Sequence, residues 1–193
     1  KPLPFQGRGW GGVRGTSNLN EDPPTCDPPH IPVLSPPNRA REKGQSMPDS
    51  TNADVVVQEL LGHSVGTFFT VSGNQILPLI DAAGRAGVRL VHMRHETAAV
   101  YAAIAASEMT VGMNVALVSA GPGFLASLQG LGVAKSMELP LLLMSGDAPV
   151  SQRGLGAFQD LDQQTIASTV CKGSFDLSPD DPIRSVFDAW SLA

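Results

Sequence analysis

From Asp54 onward, apolar positions along the chain recur in two alternating rhythms. Asp54 to Leu61 places Val55, Val56, Leu60 and Leu61 at helical spacing, with Gly62 able to end the helix. Thr67 to Val71 is a short β-branched and aromatic run that predicts a strand, and Ile76 to Ala86 is a helical pattern closed by Gly87. Val88 to His92 predicts a second strand, followed by an alanine-rich helix from Glu96 through Ser107. Asn114 to Ser119 predicts the third strand, a glycine loop feeds a helix from about Phe124 to Met137, and Pro140 to Ser145 predicts the fourth strand. Beyond a polar loop come a short helix near Leu161 to Ser168, a strand at Val170 to Phe175 and an amphipathic helix at Asp180 to Leu192. Repeated β-α order with apolar strands implies an α/β fold: a doubly wound, mainly parallel sheet with helices on both faces.

Residues 1 to 50 have a different character. Pro-Pro pairs at Pro23-Pro24, Pro28-Pro29 and Pro36-Pro37, after a Gly-rich opening at Gly7 to Gly15, predict a disordered tail. Such a tail suits either a polyproline ligand for an SH3-like partner or a passive segment ahead of an initiator at Met47. Residues 51 to 193 form the expected folded domain. Its pattern stops on a helix where a doubly wound sheet calls for another strand, so the domain is expected to be incomplete at its C-terminus.

Composition narrows the function classes. Apolar residues make up 42% and aromatics 5%, which suits a parallel sheet built from Val, Leu, Ile and Ala. The net charge of -5 is spread without a Lys/Arg stripe, which argues against a nucleic-acid partner. No apolar run approaches the roughly 18 residues of a membrane span, and no secretory leader is evident. Cys26 and Cys171 lie in unlike regions and are expected to be free thiols in a reducing compartment. The expected location is cytoplasmic.

Four loops fall at the carboxyl ends of successive strands: Ser72-Gly73-Asn74-Gln75, Arg94-His95-Glu96, Ser119-Ala120-Gly121-Pro122-Gly123 and Ser145-Gly146-Asp147-Ala148-Pro149. All four are expected on one edge of the sheet, where open α/β sheets bind ligands. Glu96 opens a helix, and acidic residues are common there because they oppose the helix dipole. Gly121-Pro122-Gly123 lacks the Lys-Ser/Thr of a Walker loop and the full GxGxxG spacing. Turn chemistry explains its glycines, and so does close backbone approach to a planar ligand. His92, His95 and Glu96 have no further Cys or His beside them, so no metal site is expected. Ser119, Ser145 and Cys171 lack the elbow or partnered base of a hydrolytic nucleophile.

Taken in order, His95-Glu96-Thr97-Ala98-Ala99, Ser119 to Gly123, Pro140 to Pro149 and Gly156-Ala157-Phe158-Gln159-Asp160-Leu161-Asp162-Gln163 resemble one known family. It is the N-terminal pyrimidine-binding domain of thiamine-diphosphate-dependent enzymes, especially the acetolactate synthase group and its relatives benzaldehyde lyase and benzoylformate decarboxylase. The resemblance covers about Ala53 to Ala193. It implies that Glu96 hydrogen-bonds N1′ of the cofactor's aminopyrimidine and favours the imino tautomer, whose nitrogen removes the thiazolium C2 proton. It places Gly73, Ala120, Gly121 and Pro122 beside the cofactor, and Gln75, Phe158 and Gln159 on the substrate side. Core packing is the competing explanation for Phe158. The implied substrates are small 2-oxo acids or aldehydes, and the implied activity is that of a transferase or lyase. The alanines after Glu96 fit a helix packed against a partner subunit, in a homodimer or homotetramer or against a full-length homologue; a small-residue helix in a monomer core fits them equally.

The chain also departs from the family pattern. Phe124-Leu125-Ala126-Ser127 stands where the family often has a small residue and then Asn, and Ile104-Ala105-Ala106-Ser107 replaces a Gly-aromatic-Ala-Arg helix end. Ser72-Gly73-Asn74-Gln75 lacks the Pro-Gly of biosynthetic acetolactate synthases. These differences bear on the acetolactate substrate more than on the cofactor. The family's Gly-Asp-Gly segment, which holds magnesium and the diphosphate, has no counterpart in this sequence, nor does the middle domain that binds FAD in some members. This chain alone is therefore expected to be inactive. A non-catalytic regulatory module and a gene fragment are the alternatives.

Overall fold

The computed structural model describes residues 50–110 and 112–192. The expected tail and Cys26 lie outside the described residues.

Helix α1 (Asn52–Gly62) begins at a reciprocal cap: the Thr51 hydroxyl accepts from the Asp54 backbone N–H, and the Asp54 carboxylate accepts from the Thr51 N–H. Two orphan donors are satisfied at once, so the helix starts two residues before the apolar run. Strand β1 (Thr67–Thr70) then leads through a 3₁₀ turn at Asn74–Ile76 into α2 (Leu77–Arg85). Gly87, at φ +78°, makes the sharp return into β2 (Arg89–His92). Helix α3 (Glu96–Thr110), β3 (Asn114–Val118), α4 (Pro122–Met137) and β4 (Leu141–Ser145) follow. Pro122 takes the first helical position, where its missing N–H costs nothing, so the second half of the expected glycine loop is already helix. The chain ends with α5 (Gln163–Ala167) and α6 (Pro182–Leu192).

The four strands pair in parallel in the order β2-β1-β3-β4. Each face is covered separately. Val56, Val57 and Leu60 of α1, Ala82 and Ala83 of α2 and Val186 of α6 pack on one face with Phe68, Val115 and Leu117. Val100, Ala103 and Ile104 of α3 and Ala134 of α4 pack on the other, over Ala116. The doubly wound, parallel α/β fold expected from the sequence is present.

The expected strand at Val170 to Phe175 does not form. The amides of Val170 and Cys171 are already bonded to the Ala167 carbonyl, closing the turn after α5. Gly173 is then pressed against the end of α6, where a Cβ would stand 2.4 Å from Leu192 Cδ2. A β-compatible run is thus drawn off its neighbour by a helix cap and a packing contact.

Candidate active site

The strand order creates a switch point. The connection leaving β1 runs outward to β2, while that leaving β3 runs the opposite way to β4, so a crevice opens between β1 and β3 at their carboxyl ends. The loops that border it touch. A Cβ on Gly73 would stand 2.4 Å from Ser119 Oγ, and one on Gly146 would stand 2.7 Å from Gln75 Cβ and 3.3 Å from the Ala120 nitrogen. Gly73 has extended backbone at φ −155°, so space and not conformation calls for glycine there.

Glu96 enters from the second loop. As the first residue of α3 it is half-buried, and its Oε1 lies 3.1 Å from where a Cβ on Gly123 would stand. Thr97 Oγ1 donates to the Ala126 carbonyl at 2.5 Å and so ties α3 to α4, while the Thr97 amide donates to His95 Nδ1 at 3.3 Å within the start of α3. The Glu96 carboxylate makes no hydrogen bond or ion pair among the described residues, so it is available to an external donor. Glycine at 123 keeps that carboxylate uncrowded.

The fourth wall is the segment from Gly156 to Gln159. Gln75 Nε2 donates to Gln159 Oε1 at 3.1 Å, and Ser119 Oγ donates to the same oxygen at 3.5 Å. Gln159 itself sits at φ +63°, an uncommon conformation for a residue with a side chain. Gly121, at φ +56°, lies beneath it; a Cβ there would meet the Gln159 carbonyl oxygen at 2.7 Å. The close approach of this chain's own Gln159 loop is thus enough to require glycine at 121. Phe158 is 77% exposed, which removes core packing as its explanation.

Ala120 and Gly121 are buried, whereas Pro122 is exposed. Gly73, Gln75, Ala120, Gly121 and Gln159 are thus brought together at the crevice, with Glu96 reaching it through Gly123. Phe158 faces solvent beside it. Two buried oxygens at this end of β1, Thr70 Oγ1 and Gln75 Oε1, have no hydrogen-bond partner. A glycine-lined crevice with a carboxylate unpaired among the described residues suits a flat ring that carries N–H donors, and the aminopyrimidine of thiamine is such a ring. Among the described residues no group of three His, Cys, Asp or Glu side chains could hold a metal ion, and no helix is long and apolar enough to cross a membrane.

Some supports were not singled out from the sequence. Buried Gln163 accepts from Ser145 Oγ at 2.7 Å and donates to the Gly146 carbonyl at 2.8 Å, which clamps α5 onto the end of β4. Arg153 pairs with Asp147 and Asp176, each at 2.9 Å, and bracing by Arg153 holds the Asp176 carboxyl below its ordinary range. The available signal was that Gln163 shares a helix face with Ala167, four residues on, so a polar side chain had to be buried there. The alanines of α3 divide: Ala99 and Ala103 are fully buried against this chain's own core, while Ala105 is exposed and Tyr101 is 37% exposed.

Residues 50–166 match the family described as thiamine pyrophosphate enzyme, N-terminal TPP binding domain. The 2-hydroxyacyl-CoA lyase 2 of Caenorhabditis elegans is 38% identical over 119 residues, 62% of this chain and 19% of the relative. Its human counterpart is 36% identical over 117 residues, 61% and 18% of the two chains. The acetolactate synthase large subunit of Mycobacterium tuberculosis is 30% identical over 118 residues, 61% and 22%. The chain spans about a fifth of the length of these curated relatives. With its parallel sheet, its switch-point crevice and a family match over more than half its length, this chain belongs to the thiamine pyrophosphate enzymes, of which it carries the N-terminal TPP binding domain.

Proposed function

We propose that this chain is the aminopyrimidine-activating half of a thiamine diphosphate site, in an enzyme that breaks or makes a carbon–carbon bond beside a carbonyl. The observation that carries this reading is Glu96: a carboxylate with no partner among the described residues, held at a helix start and set against Gly123. When bound, the cofactor supplies an electron sink that the side chains of the protein lack. Glu96 holds a proton against ring N1′, and general acid–base help of this kind is worth roughly 100-fold or more. Gly73, Ala120 and Gly121, with Pro122 at the rim, shape the wall against which the ring lies. The Gln75–Gln159–Ser119 hydrogen bonds fix the covering loop and so orient the substrate side, where Phe158 is presented to the incoming molecule.

The identities of 38% and 36% to 2-hydroxyacyl-CoA lyases, against 30% to acetolactate synthase, favour a 2-hydroxyacyl thioester as the substrate. A small 2-oxo acid or aldehyde is the second reading, favoured by the acetolactate synthase likeness. Magnesium and the diphosphate would be anchored by another domain, so the chain by itself holds cofactor weakly and does not turn over. The assembly we propose is a cytoplasmic homodimer or homotetramer, or a pairing with a full-length homologue, through the face of α3 that bears Tyr101 and Ala105.

The test is deuterium exchange at thiazolium C2, followed by proton NMR with millimolar thiamine diphosphate and magnesium. The native chain is expected to accelerate exchange, and Glu96→Gln to lose about 100-fold of that acceleration. Equal acceleration by both chains would remove Glu96 from the role. Saturable cofactor binding with no acceleration by the native chain would favour a non-catalytic, regulatory module.

A further inference from the structure

Glu96 is held by the residues on either side of it. The Ala99 amide donates to the His95 carbonyl at 3.2 Å and closes the first turn of α3, so His95 is the residue from which the helix springs. Helices usually place Ser, Thr, Asp or Asn there, whose side-chain oxygen accepts an orphan amide of the first turn. Here an imidazole does so: His95 Nδ1 accepts from the Thr97 amide at 3.3 Å. Thr97 is in turn anchored to α4 through its Oγ1, which donates to the Ala126 carbonyl. Glu96 thus stands between a capping side chain and a tethered residue.

The choice of cap has a chemical consequence. A hydroxyl or amide oxygen accepts at every ordinary pH, whereas an imidazole nitrogen accepts only while it carries no proton. A proton on Nδ1 sets donor against donor at the Thr97 amide. His95 is exposed, so solvent protons reach it. Along the chain it is flanked by Arg94 and Glu96, with His92 at the end of β2. Across from it, α4 carries no ionisable side chain between Pro122 and Ala134, and Ser72 to Gln75 carry none either.

We propose that His95 is a positioning residue for Glu96: its neutral imidazole, with the hydrogen on Nε2, caps α3 and so fixes where the carboxylate stands against Gly123. The inference rests on the reading of Glu96 as the partner of ring N1′. His95 acts through the helix start and has no contact of its own with the ring. The same imidazole makes the site acid-sensitive. The cap is present while Nδ1 is unprotonated and is released when Nδ1 gains a proton, which frees the first turn and the carboxylate it carries.

The test compares the native full chain with His95→Ala, His95→Asn and Glu96→Gln. Asparagine keeps a capping acceptor but has no ring to titrate. Without cofactor, proton–nitrogen NMR at mildly alkaline pH should show His95 with Nδ1 unprotonated. The Thr97 amide should exchange about fivefold faster in His95→Ala and at the native rate in His95→Asn. With thiamine diphosphate and magnesium, His95→Ala should lose roughly tenfold or more of the Glu96-dependent acceleration of thiazolium C2 exchange, and His95→Asn should retain it. On acidification the native chain should lose more of that acceleration than His95→Asn, in step with the His95 Cε1 proton shift. Native Thr97 exchange in His95→Ala, a loss that asparagine fails to restore, or identical pH profiles of the native chain and His95→Asn would overturn the proposal. Undiminished acceleration by Glu96→Gln would instead overturn the reading of Glu96, and Thr97 exchange would still decide whether His95 caps α3.

Discussion

Replacing Gly130 by alanine adds one methyl group where α4 packs closely on α3. Gly130 lies on α4 against Val100 of α3, and both residues are buried. A Cβ at 130 would lie 2.4 Å from Val100 Cγ1 and 2.8 Å from its Cβ. A valine in a helix has essentially one favoured rotamer, so the side chain cannot swing aside. The helices must separate, or Val100 must leave its rotamer. Overpacking of this kind costs about 1–3 kcal/mol. Alanine recovers about 1 kcal/mol of helix propensity over glycine. The net expectation is a loss of about 1 kcal/mol, with an upper end near 2 kcal/mol. In a two-state urea titration this appears as a lowered midpoint with unchanged slope. Adding Val100→Ala removes the obstructing methyls, so the double variant should be more stable than the sum of the single losses by about 1 kcal/mol. If Gly130→Ala instead stabilises by its full propensity gain, or the two changes add within about 0.5 kcal/mol, the close contact is not what requires glycine here.

Asp54 caps α1 and pairs with Arg85, and the Arg85 hydrogen bond followed by the Thr51 bonds takes its carboxyl from the ordinary 3.8 to about 2. A depressed folded pKa contributes stability that is present above 3.8 and is lost as pH falls toward 2, so Asp54→Asn should lower the unfolding midpoint at neutral pH and flatten its acid decline across that window. Gly121→Ala meets both a positive φ and the Gln159 carbonyl, so a destabilisation of about 2 kcal/mol or more is expected, with faster amide exchange in the 157–159 loop; an unchanged melting curve would contradict it. Burial pushes the Cys171 thiol above its ordinary value, opposed in part by Lys135. Iodoacetamide should therefore label Cys171 more slowly than a free thiol in mildly alkaline buffer, as peptide mass mapping would show.

Much of the fold was legible because period and punctuation agree. The alternation of Thr67 to Val71, Val88 to His92, Asn114 to Ser119 and Pro140 to Ser145 with helical runs yields four parallel strands, each within a residue or two of its observed bounds. Boundaries shifted where side-chain bonds intervened, as at the Thr51–Asp54 cap. The strand expected at Val170 to Phe175 failed because strand formation is a pairing event, and its amides and Gly173 were already engaged elsewhere.

At the site, the residue types were legible and their partners were not. Glu96, Gly73, Gln75, Gly121 and Gln159 stood out at strand ends and in a family-like order. Nothing along the chain says that Gly121 makes room for Gln159, that Gly123 makes room for Glu96, or that Gln163 holds α5 to β4. Those are contacts between residues 17 or more positions apart.

By itself, then, the sequence determined the layering of this domain and the edge on which its chemistry collects, because apolar period and turn residues act locally. Tertiary structure alone decided which glycine faces which side chain and which carboxylate stays unpaired among the described residues. Those outcomes depend on close packing between distant segments, where a single Cβ at Gly123, Gly121 or Gly130 is enough to change the geometry.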